Sequence, residues 1–138
     1  NDADAEIALV TERTRQVLTA AGATETVDQV VVETLVTTFR DLRSGLSREG
    51  WSVEKPSTVL STAEAVAISG SIALAGAFFP HARDGIRLIP GQLLGAVRKD
   101  DPDDGARLLA YWDSVIKRRA AEGSHTWTQL WDQRSALQ

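Results

Sequence analysis

The feature that most constrains this chain is the stretch from Ser61 to Pro80. Ser61 and Glu64 have the spacing of a capping box, in which the serine hydroxyl takes a first-turn N–H and the glutamate reaches back. Leu60 and Ala65 flank that start as a hydrophobic staple. The body carries Val66, Ile68, Ile72, Leu74 and Phe78, with Ala67, Gly70, Ser71, Ala73 and Gly76 between them. Each glycine costs about 1 kcal/mol of helix propensity against alanine. That cost makes sense where a neighbouring helix must come close. Pro80 ends the helix. The apolar run from Ala65 to Phe79 is interrupted by Ser69 and Ser71. It falls short of the roughly 20 residues that cross a bilayer, so it predicts a buried helix with other helices packed around it.

Those other helices are punctuated in the sequence. Ile7, Val10, Val17 and Leu18 predict a helix from Asp4 to Ala21, stopped by Gly22. Asp2, Asp4 and Glu6 suit the positive end of its dipole. Val27, Val31, Leu35, Phe39 and Leu42 predict a second helix over Val27 to Ser44, capped by Thr26 with Gln29 and closed by Gly45. Leu46 to Val59 is the least helical stretch, and Trp51 and Val53 alternate with polar neighbours, which fits a short β hairpin or a wrapped loop. After a turn at His81 to Gly85, Ile86 to Ile89 reads as extended, and Pro90 opens a short helix to Val97. Asp101 caps a fifth helix carrying Leu108, Leu109, Trp112, Val115 and Ile116, and Gly123 closes it. Ser124 starts a last helix with Trp127, Leu130 and Trp131. The expected fold is therefore mainly α, a bundle of five to six helices forming one domain over residues 1–138.

A chain of 138 residues can bury a real core. Its net charge of -4 argues against a general nucleic-acid binder, which needs a basic face against phosphate. The absence of cysteine excludes disulfides, thiolate metal sites and cysteine nucleophiles, and fits a cytoplasmic protein. Asn1 at the start and the lack of methionine lead us to expect a trimmed or excised piece of a larger protein. No signal pattern opens the chain, and no membrane association is expected.

Chemistry is sparse. There is no GxxxxGK[ST] to surround phosphates, and no apolar strand ends in an acidic pair that would hold Mg²⁺. This chain is not expected to hydrolyse ATP alone. His81 and His125 lack the spacing of a metal pair, and Asp100 to Asp104 lacks the alternating ligands of a calcium loop. Helix capping is the expected role of that acidic cluster. Arg40, Arg43 and Arg48 can meet phosphate, though such charges more often form a solvated face. Trp112, Trp127 and Trp131 read as core and edge anchors of the last helices, with an exposed partner surface as the alternative.

Three pieces carry a resemblance: Phe39-Arg40-Asp41-Leu42-Arg43, Leu60-Ser61-Thr62-Ala63-Glu64-Ala65 and Leu94-Gly95-Ala96-Val97. Together they resemble the C-terminal part of MoxR-like AAA+ ATPases. The resemblance implies a helical lid packed beside a nucleotide-binding core of the same polypeptide. It implies ATP and Mg²⁺ as ligands of the parent, a homo-oligomeric ring, and remodelling or maturation of partner proteins, often ones with a von Willebrand A domain. By the same resemblance the helix beginning at Ser61 stands in the place of the sensor-2 helix, so Ser61, Thr62 and Ala63 are the expected nucleotide-facing residues. Typical members read S-P-R-A there, with an arginine toward the γ-phosphate; here Ala63 occupies that place. The N–H groups of the helix start, or Arg40 or Arg43, remain as substitutes. The alternative to the lid is a free-standing helical interaction domain using the tryptophan region. The lid instead expects an exposed face on the first and third helices.

Overall fold

The computed structural model describes residues 2–58, 60–99 and 101–138. In chain order the helices are α1 (Asp2–Ala20), α2 (Gln29–Ser44), α3 (Thr62–Phe78), α4 (Ile89–Arg98), α5 (Asp104–Tyr111), α6 (Lys117–Ala121) and α7 (His125–Asp132). A π-helical turn, Trp112–Ile116, joins α5 to α6 in one rod. The described residues therefore form six helical rods, as the spacing of apolar residues predicts, and no strand is found among them.

The expected packing of α3 is present. Ser61 Oγ accepts the Glu64 N–H at 3.2 Å, and Leu60 and Ala65 are both buried. α1 packs against α3 at Gly70, where a Cβ would sit 3.6 Å from the Val17 methyls, an ordinary contact, so this approach does not require the glycine. Nearby, the Thr14 and Ser69 hydroxyls meet at 2.7 Å and satisfy each other inside the contact. Glu6, Val10, Thr14 and Leu18 recur every four residues and form the buried stripe of α1. One continuous core joins α2 through Val31, Leu35, Phe39 and Leu42 to Ile68 and Ile72 of α3, Leu93 of α4 and Trp112 of the π turn.

Two local expectations are corrected. The second helix starts two residues later than Val27, because Asp28 rather than Thr26 caps it: its carboxylate accepts the N–H groups of Val30 and Val31. A charged acceptor reaching two orphan donors is a stronger cap than a hydroxyl reaching one. The residues Ile86–Ile89 are not extended. Gly85–Leu88 is a 3-10 turn running into α4, with the Arg87 N–H on the Asp84 carbonyl at 3.2 Å. Among the described residues there is no strand to pair such a segment, so its backbone bonds locally. Of the two readings of Leu46 to Val59, a short hairpin or a wrapped loop, the described residues follow the wrapped loop, with one antiparallel bridge between Leu46 and Ser52. Val59 at its end lies outside the described residues.

Candidate functional site

The start of α3 is the expected site, and two other helices come to it. Glu6 of α1 is buried there. Its carboxylate accepts from Arg43 Nη2 at 2.7 Å, from Arg43 Nη1 at 3.3 Å and from Arg40 Nη1 at 3.2 Å. Thr62 Oγ1 donates to the same carboxylate at 3.1 Å. Arg43 Nε donates to the Leu60 carbonyl at 2.9 Å, which fixes the segment entering α3. Arg40 and Arg43 sit three apart near the end of α2 and so share a helix face. Burial pushes Glu6 up, but the two guanidinium groups and the Thr62 hydroxyl outweigh it and hold the carboxyl below its usual range.

Of the expected residues, Ser61 is occupied in capping and Thr62 in binding Glu6. Ala63 is exposed and brings no charge. The structure thus places Ser61, Thr62 and Ala63 together with Arg40 and Arg43. Arg48 is elsewhere, its guanidinium 5.6 Å from the Trp127 ring centre.

A second charged cluster lies at the same end of α2 on another face, around Asp41, which sits between Arg40 and Arg43 in sequence. Arg119 is buried and donates to Asp41 Oδ2 at 2.8 Å, to both oxygens of Glu49 at 2.7 and 2.8 Å, and to the Tyr111 hydroxyl at 3.1 Å. Tyr111 in turn donates to Asp41 Oδ2 at 2.7 Å. Eight residues of α-helix overshoot two turns by about 80°. The wider π turn between Tyr111 and Arg119 takes up part of that excess, so both face Asp41. The Trp127 ring covers Arg119 with its centre 4.4 Å from the guanidinium carbon. Hydrogen bonds from Arg119 hold Glu49 down at about 2.

A third cluster replaces the expected dipole role of Asp104. This carboxylate is fully buried and accepts the N–H groups of Ser57 and Thr58 at 2.8 and 2.9 Å, the Thr58 hydroxyl at 2.6 Å and Arg107 at 2.6 Å. It pins the loop before α3 to α5. Asp101 is not the cap expected of it: Asp103 stands at the N-cap of α5 with no side-chain bond, and the Asp101 carboxylate instead takes the Asp103 N–H at 2.9 Å in the turn before the helix, while Asp100 lies outside the described residues. Among the described residues no group of three metal-ligating side chains gathers, and no helix is long and apolar enough to cross a membrane. The tryptophans serve as anchors: Trp112 and Trp127 are buried, and Trp131 is half-buried. They do not form the exposed patch that a free-standing interaction domain would use.

The family described as YehL-like AAA+ ATPase C-terminal domain matches residues 4–138. A protein of Escherichia coli strain K12, described as uncharacterized protein YehL, is 29% identical over 111 residues, covering 80% of this chain and 30% of that protein. The chain therefore spans less than a third of that relative. No solved structure matches. With a family match along nearly its whole length and a helical bundle to go with it, this chain belongs to the C-terminal domains of YehL-like AAA+ ATPases.

Proposed function

We propose that this domain is the helical lid of a MoxR-like AAA+ ATPase that remodels or matures partner proteins in the cytoplasm. The parent would bind ATP and Mg²⁺ in a core of the same polypeptide and assemble as a homo-oligomeric ring. Its clients would include a protein with a von Willebrand A domain. The observation that carries this reading is the family match over residues 4–138. The three sequence pieces that resemble MoxR-like proteins support the finer assignment. Exposed Phe78 and Phe79 at the end of α3 fit a surface that another part of the parent covers.

In this reading the start of α3 faces the nucleotide. Helix geometry leaves the N–H groups of Thr62 and Ala63 without intrahelical carbonyl partners, and these can point to a phosphate. Ala63 supplies no charge for the transferring phosphoryl. The lid then transmits nucleotide state by moving as a body, and the buried Arg119 and Asp104 clusters, which tie loop to helix, make it stiff enough to do so.

The test is ATP hydrolysis by the full-length ATPase with and without this domain. Hydrolysis in Mg²⁺ that falls at least about tenfold on deletion is the expected result. Full-length protein without hydrolysis, or a deletion that leaves the rate unchanged, overturns the reading.

A further inference from the structure

The three charged clusters differ in stoichiometry. Arg119 faces two carboxylates, Asp41 and Glu49. Arg107 faces Asp101, Asp104 and Glu54. Such ratios are expected in a chain of net charge -4. At Glu6 the ratio is inverted, because among the described residues this one carboxylate is the only acidic partner of both Arg40 and Arg43. Arg43 spends its Nε on the Leu60 carbonyl and both terminal nitrogens on Glu6. Arg40 makes one bond, through Nη1 at 3.2 Å, and its side chain is 36% exposed. A guanidinium has five N–H donors in a planar fork. Arg40 therefore presents several unused donors and one net positive charge to solvent, in a position that Glu6 and Arg43 hold in place.

We infer that Arg40 is a phosphate-binding residue, with Arg43 and Glu6 as its positioning residues. A planar fork with free donors suits a phosphate oxygen pair. Resting on the lid reading above, the ligand is the terminal phosphate of a nucleoside triphosphate held in the core. The charge that Ala63 does not bring to the α3 start then comes from α2.

The experiment measures binding of a non-hydrolysable ATP analogue, of ADP and of inorganic phosphate to the full-length ATPase. The variants are Arg40→Ala, Arg40→Lys and, as a control on an exposed pair of α1, Arg15→Ala. Arg40→Ala is expected to weaken the triphosphate by about 10- to 100-fold, the range for losing charge-assisted hydrogen bonds. ADP affinity should change less than about threefold. Arg40→Lys should recover part of the loss, and Arg15→Ala should match the unaltered protein. Equal losses for triphosphate and ADP, or no loss, overturn the inference while leaving the lid reading standing. Tighter binding of inorganic phosphate than of the analogue's terminal group would assign the site to free phosphate and overturn it too. An unaltered full-length protein that binds no triphosphate overturns both. Melting temperatures of all variants within a few degrees of one another exclude unfolding as the cause, and Arg40→Lys carries the test should Arg40→Ala fail to fold.

Discussion

The Arg119 and Glu6 clusters meet α2 at the same end, on different faces, and have opposite characters. Arg119 is 2% exposed, roofed by Trp127, and outnumbered by carboxylates that it joins across 70 and 78 residues of sequence. The Glu6 cluster buries its anion and leaves its cations one-third exposed. Desolvated charges must be matched within the protein, because the interior offers no water to replace a lost partner. Charges at the surface need no such match. The closed cluster therefore reads as architecture and the open one as a site.

Substitutions can break this contrast. The largest expected effect is Arg119→Ala, which strands Asp41 in the core and should destabilise the domain by about 3–5 kcal/mol in urea unfolding. A loss below about 1 kcal/mol would make the buried cluster no more structural than a surface pair. Asp104→Asn comes next, at about 2 kcal/mol, since it removes the charge from bonds to Ser57, Thr58 and Arg107. Glu49→Gln should cost about 1 kcal/mol at pH 7, its carboxylate being 24% exposed and partly screened. Its pH dependence sharpens the point. Because folding holds Glu49 at about 2, below its usual 4.5, the stabilisation is full above pH 4.5 and is lost as pH falls toward 2. Stability measured from pH 6 to pH 2 should fall less steeply in Glu49→Gln than in the unaltered domain. Arg40→Ala is the smallest, below about 1 kcal/mol, because Arg43 still neutralises Glu6.

Much of the fold is legible in the sequence where structure is set locally. The Ser61 cap, the small residues of α3 and Pro80 define that helix, since each acts within a turn of its own position. The start of α2 is less so, because Thr26 and Asp28 both cap well and only the backbone path selects Asp28. Ile86 to Ile89 reads as extended, but a strand needs a partner, and no local pattern announces that the described residues hold none. The candidate site is half legible. The place of Ser61, Thr62 and Ala63 follows from resemblance, and Arg40 and Arg43 stand out as a basic pair. Their common partner Glu6 lies 34 and 37 residues away and looked like an ordinary dipole charge. Asp104 misleads in the same way: an acid at a helix start is usually a solvated cap, and only burial by Ser57 and Thr58 makes it an anchor.

The central claim is that this domain covers a nucleotide held elsewhere and has no complete nucleotide site of its own. The most direct measurement is the melting temperature of the domain with and without a non-hydrolysable ATP analogue and Mg²⁺. Arg40 alone gives too few contacts for tight binding, so the account predicts an unchanged melting temperature at millimolar analogue. A rise of several degrees, which ligand linkage requires if the folded domain binds the nucleotide well, would contradict it.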